Sequence, residues 1–157
     1  MANGESQQHF KDIAQHHGIQ NRIAVRDFSE DFEHLAYGAS NFILMPSLFE
    51  PCGLPQMIAP IYGSLPVVHD TGGIHDTISH LDSSKHAGNG FLFKDHNAAG
   101  LSWAIDQAMA FYQLSEKSKQ TEIRRIMEES LDRFNHSVTA RQYIDLYEKM
   151  LQRPLIN

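Results

Sequence analysis

Four short runs, at residues 22–26, 41–45, 66–69 and 90–93, are separated by stretches in which apolar side chains recur at three-and-four spacing. That alternation constrains the fold more than any other feature, because strands joined through helices pair in parallel and need helical layers over the sheet. The run at 41–45 is almost continuously apolar and stops at Pro46, so it reads as a strand buried on both faces. The run at 22–26 alternates and reads as a short strand. Phe28, Phe32, Leu35, Ala36 and Ala39 predict a helix, and Glu30, Asp31 and Glu33 suit the positive end of its dipole. Phe10, Ile13, Ala14 and His17, closed by Gly18, predict an earlier helix over 7–17. After residue 93 three stripes predict three helices: Leu101 to Tyr112, Ile123 to Phe134 and Val138 to Leu151. The expected architecture is α/β, a partial Rossmann-like parallel sheet with C-terminal helices. The chain is read as a single fragment of 1–157, with an α/β part at about 20–96 and a helical part at 97–152.

Composition narrows the function. The chain of 157 residues has 13 basic and 19 acidic side chains, a net charge of −6. Clustered basic charge is what nucleic acid and anionic membranes attract, so neither is an expected partner. The longest clean apolar run is Phe42-Ile43-Leu44-Met45, far short of the roughly 20 residues of a membrane helix. The N-terminus has neither a basic start nor an apolar stretch, so no signal peptide is expected. The single cysteine, Cys52, permits no internal disulfide and fits a reducing compartment. The expected location is the cytoplasm, or a plastid if the chain comes from a plant. Ten histidines show no zinc-ligand spacing, so no metal or cofactor is expected and most are read as surface positions.

Ligands of open parallel sheets bind beyond the carboxyl ends of the strands. Two loops there have suitable chemistry. In Thr71-Gly72-Gly73, paired glycines allow close backbone approach to a phosphate, although the same pair also makes an ordinary tight turn. In the segment from Pro46 to Gln56, the carboxylate of Glu50 can accept sugar hydroxyls or face a developing cation. The N–H groups of Cys52, Gly53 and Leu54 can serve oxygen ligands. A surface glutamate on a structural turn is the plainer alternative. The Cys52 side chain reads as a small packing residue rather than a nucleophile.

These loops carry a resemblance. Pro46-Ser47-Leu48-Phe49-Glu50-Pro51-Cys52-Gly53-Leu54-Pro55-Gln56-Met57, followed by Tyr62-Gly63-Ser64-Leu65-Pro66 and by Thr71-Gly72-Gly73-Ile74-His75-Asp76-Thr77, closely resembles bacterial glycogen synthases and plant starch synthases. Gly88-Asn89-Gly90-Phe91-Leu92-Phe93 and the stretch ending Tyr143-Ile144-Asp145-Leu146-Tyr147 resemble the family's next strand and closing helix. The family consists of retaining glycosyltransferases with twin Rossmann-like domains (GT-B), and the chain resembles only the later part of the C-terminal domain.

The resemblance implies transfer of glucose from a nucleotide sugar, ADP-glucose, to the non-reducing end of an α-1,4-glucan held by an N-terminal domain outside this chain. Glu50 would hydrogen-bond the donor glucose and lie near the oxocarbenium charge. Cys52, Gly53 and Leu54 would offer N–H groups to glucose hydroxyls. Thr71, Gly72 and Gly73 would line the phosphate side, and Phe28 would stack on the base or else pack on the core. The arginine and lysine that clamp the diphosphate in the family fall outside the chain, which predicts that it alone is inactive and binds ADP weakly.

The pattern departs at Pro55, Pro60 and Ile61, where the family has threonine, methionine and arginine. Pro60 falls inside the helix expected over 56–62 and should break it. Asn41 replaces a common aspartate. Other readings are a sucrose synthase, which would carry a second glutamate where this chain has Ile58, and a non-catalytic module binding nucleotide or glucan. The strand that should neighbour the cut edge of the sheet is also missing, so an exposed edge, some exposed apolar surface and self-association are expected.

Overall fold

The computed structural model describes residues 4–27 and 29–155, with side chains from residue 6 onward. It falls into two compact units, residues 1–36 and 37–157.

In the first unit, helix α1 spans Gly4–His16. It closes as the sequence predicts: Gly18 takes φ +66°, and the N–H groups of His17 and Ile19 bond the carbonyls of Ile13 and Ala14. The strand expected at 22–26 does not form; those residues are a turn followed by irregular backbone. Alternation alone cannot hold a strand, because its N–H and C=O groups need a neighbouring ladder. None is present in this unit among the described residues. Helix α2 (Glu30–Ala39) follows, with Glu30, Asp31 and Glu33 in its first turn.

The second unit carries the sheet. Strands β1 (Phe42–Met45), β2 (Leu65–His69) and β3 (Phe91–Phe93) pair in parallel in the order β1-β2-β3. Phe42 lies opposite Leu65, and Val67 opposite Phe91. Every residue of β2 is buried. The strand expected to be covered on both faces, β1, is instead an edge strand, and Leu44 is 52% exposed. The apolar run signals a strand, but its place in the sheet depends on partners distant in sequence.

The polypeptide between β1 and β2 shows how its prolines are used. Helix α3 is only Pro55–Ile58, and a 3₁₀ turn covers Ala59–Tyr62. Pro55 occupies the first turn of α3 and Pro60 that of the 3₁₀ turn, where a missing N–H costs nothing. The break expected at Pro60 is present. Gly63 then turns the chain into β2 with φ +84°.

Helix α4 (Gly73–Thr77) follows β2, and α5 (Ala98–Tyr112), α6 (Glu116–Arg133) and α7 (His136–Leu151) follow β3. Asn97, Ser115 and Asn135 cap the three long helices, each side chain accepting from the N–H three residues on. The core joins Leu65, Val67, Phe91 and Phe93 of the sheet to Ala104, Ala108 and Phe111 of α5 and Ile126 of α6. Val68, Ile74 and Ile78 form a smaller cluster with Met45 and Leu92. The apolar stripe on α7 buries no residue, and Tyr143, Tyr147 and Met150 stay exposed. No helix among the described residues is long and apolar enough to cross a membrane.

Candidate functional site

Parallel pairing brings the carboxyl ends of β1, β2 and β3 to one edge of the sheet, and the loops leaving them meet there. The loop after β1 (46–54) and the turn after β2 (70–72) are bonded directly. Gly73 N–H donates to the carbonyl of Glu50 at 2.9 Å, and Thr71 Oγ1 donates to the carbonyl of Leu48 at 3.5 Å.

The paired glycines serve this junction. Gly72 has φ +49° and ψ −132°, a region that a side chain cannot comfortably adopt, and a Cβ there would collide with the carbonyl oxygen of Glu50. A Cβ on Gly73 would strike Cys52 O. The close backbone approach read from the sequence is therefore made to the neighbouring loop. Gly73, Ile74 and His75 spend their N–H groups on Glu50, Thr71 and Gly72 carbonyls. Among the described residues, the N–H groups of Cys52, Gly53, Leu54, Thr71 and Gly72 make no hydrogen bond.

A histidine ties in the third loop. His69, the last residue of β2, is 7% exposed. Its Nδ1 lies 2.7 Å from Ser47 O and its Nε2 3.2 Å from Lys94 O. His96 packs against it with ring centroids 4.8 Å apart and reaches Pro46 O at 3.1 Å. His69 is an exception to the reading of most histidines as surface positions, because a period-two strand cannot show that its last side chain turns under the loops. Its position at the carboxyl end of a buried strand was the available signal.

Glu50 is half-buried, and Ser47 Oγ donates to its Oε2 at 3.4 Å. Leu48, Phe49 and Leu54 beside it are well exposed. Cys52 is exposed, which corrects its reading as a packing residue. Gln56 is the second residue that sequence reasoning missed: wholly buried, it donates to the carbonyls of Cys52 at 2.9 Å and Gly53 at 3.0 Å. A polar residue opening an otherwise apolar helix is a weak signal of such a role.

On the outer side, Asp70 Oδ1 lies 2.6 Å from His75 Nδ1. That hydrogen bond, reinforced by the carboxylate charge, raises the His75 pKa above its usual 6.5. No group of three or more His, Cys, Asp or Glu side chains that could hold a metal occurs among the described residues.

The structure thus brings Glu50, Cys52, Gly53, Leu54, Thr71, Gly72 and Gly73 to one place. Phe28 lies outside the described residues. A carboxylate beside a row of unspent N–H donors is suited to a polyhydroxylated ligand bearing negative charge.

The family model "Glycosyl transferases group 1" matches residues 3–125. The glycogen synthase of Anoxybacillus flavithermus is 36% identical over 148 residues, covering 94% of this chain and 29% of that enzyme. The glycogen synthase of Bacillus licheniformis is 40% identical over 126 residues, covering 80% and 25%. Among solved structures, the catalytic domain of Starch Synthase IV from Arabidopsis thaliana, bound to ADP and acarbose, superposes with a TM-score of 0.77 at 30% identity, covering 93% of this chain and 30% of that one. Sucrose-phosphate synthase from Thermosynechococcus elongatus superposes with a TM-score of 0.70 at 22% identity, covering 97% and 36%, and shares the fold. The chain spans 25–30% of the length of these curated relatives.

Proposed function

This chain belongs to the group 1 glycosyl transferases, and on that basis we propose that it is the donor-binding portion of a glycogen or starch synthase, transferring glucose from ADP-glucose to the non-reducing end of an α-1,4-glucan. The observation that carries the reading is the junction of the 46–54 loop with the 70–72 turn, which gathers Glu50 and five unspent N–H groups at the carboxyl ends of β1 and β2.

In this reading the Glu50 carboxylate accepts a hydroxyl of the donor glucose and stabilises the positive charge that grows as the bond to phosphate breaks. Cys52, Gly53 and Leu54 donate N–H groups to the sugar hydroxyls. Thr71 and Gly72 face the phosphates with their N–H groups, and Gly73 supports them from beneath. The glucan is held by a second domain of the synthase, and residues 1–157 by themselves transfer no glucose. Lowering a barrier by ~8 kcal/mol or more takes groups from both sides of the cleft. Transfer takes place in the cytoplasm, or in a plastid if the chain comes from a plant.

A chimera tests this: the chain replaces the matching segment of the Anoxybacillus flavithermus glycogen synthase, and glucose incorporation into glycogen is measured. The chimera should transfer glucose from ADP-glucose, and Glu50→Ala should lower its kcat by about 10²-fold or more. A folded chimera that is inactive with both ADP-glucose and UDP-glucose contradicts the reading. ADP binding without transfer would favour a non-catalytic nucleotide-binding module.

A further inference from the structure

Two of the N–H donors assigned above to sugar hydroxyls are aimed by a side chain that never reaches the surface. Gln56 is 0% exposed. Its Nε2 donates to Cys52 O at 2.9 Å and Gly53 O at 3.0 Å, and lies 3.4 Å from Thr77 Oγ1 on α4. Its Oε1 is also buried and has no partner among the described residues. The amide therefore has one workable orientation, since turning it over would set Oε1 against two carbonyl oxygens. An acceptor has been left unsatisfied so that two carbonyls can be held.

We infer that Gln56 is a positioning residue that turns the Gly53 and Leu54 N–H groups toward the donor site. The argument is covalent. No peptide bond among the described residues is cis. In a trans peptide the C=O and the following N–H point in opposite directions. Holding Cys52 O inward sends Gly53 N–H outward, and holding Gly53 O inward sends Leu54 N–H outward. Cys52 N–H belongs to the peptide of Pro51, whose carbonyl Gln56 does not touch, so that donor is outside the clamp. Gly53 is the matched half of the device: it has φ +73°, and a Cβ on it would collide with the Gln56 amide. The hydroxyl of Thr77 extends the clamp to α4, where it donates to Gly73 O at 2.8 Å. One buried amide thus joins the carboxylate-bearing loop to the helix entered through Gly73.

The functional part of this inference rests on the donor-site reading, and the experiment separates the two. ¹⁵N–¹H residual dipolar couplings report the direction of each N–H in the intact chain, with no ligand present. In the wild type, the couplings of Gly53 and Leu54 should fit the outward directions. In Gln56→Met, which keeps the bulk and removes the donors, those two should depart while Cys52 and the rest of residues 37–155 keep theirs. The affinity for glucose 1-phosphate should fall about tenfold or more. Unchanged Gly53 and Leu54 couplings in an otherwise native Gln56→Met overturn the clamp. If that variant does not fold, the wild type decides. Scalar couplings across the hydrogen bonds from Gln56 Nε2 to the Cys52 and Gly53 carbonyl carbons are expected, and their absence overturns the clamp. Redirected N–H groups in a chain whose wild type ignores glucose 1-phosphate support the clamp and overturn the donor-site reading.

Discussion

The backbone N–H of Gly73 donates to the carbonyl oxygen of Glu50 at 2.9 Å, joining two loops 23 positions apart in sequence. This bond makes a single site of the acidic loop and the glycine turn. It also explains why glycine stands at 72 and 73, since a side chain at either would drive the loops apart.

Gly72→Ala should therefore destabilise the chain by about 2 kcal/mol or more, because it adds both a positive-φ penalty and a collision with Glu50 O. Urea denaturation measures it. An unchanged midpoint would mean that the turn is not held against the 46–54 loop.

His69→Phe keeps an aromatic ring against Phe93 and His96 but removes the ring nitrogens that face Ser47 O and Lys94 O, and with them the ring's N–H donor. The expected cost is about 0.5–1.5 kcal/mol for the part-buried hydrogen bonding that is lost. Amide exchange should quicken around residues 46–50 and 94–97 and not in α6. Faster exchange spread evenly over the unit would show that His69 only fills space.

The Asp70–His75 pair gives a pH dependence with a definite sign. The folded pKa of His75 is raised by the hydrogen bond and charge of Asp70. Its contribution to stability is then full below the unfolded value of about 6.5 and is lost as pH rises through the higher folded value. A proton NMR titration of the His75 ring should show the raised pKa, and Asp70→Asn should return it to the ordinary range. A wild-type value at or below 6.5 would contradict the pairing.

As the edge strand, β1 presents Leu44, 52% exposed, and pairs only with β2 among the described residues. Light scattering should show a mass that rises with concentration, and Leu44→Lys should return the chain to a monomer. A monomer at high concentration in the wild type would contradict association through this edge.

Much of this arrangement is legible in the amino-acid sequence. The run at 42–45 and the stop at Pro46 mark β1, the stripe through Ala104, Ala108 and Phe111 marks α5, and the motif around Glu50 marks the loop that meets the glycine turn. These signals are local, written in periodicity and turn chemistry. What failed was relational. Nothing local tells residues 22–26 that no ladder awaits them, or tells β1 that it lies at an edge while β2 lies within. The roles of His69 and Gln56 were hidden for the same reason. Each acts on a carbonyl, and a carbonyl has no identity in the sequence.

The most direct test of the shared site is a ¹⁵N NMR titration of the chain with ADP-glucose. The amides of Glu50, Cys52, Gly53, Leu54, Thr71, Gly72 and Gly73 should shift together and saturate with one dissociation constant, in the weak range of about 1 mM that corresponds to roughly −4 kcal/mol. Shifts confined to one of the two loops, or appearing only elsewhere in the chain, would contradict the account.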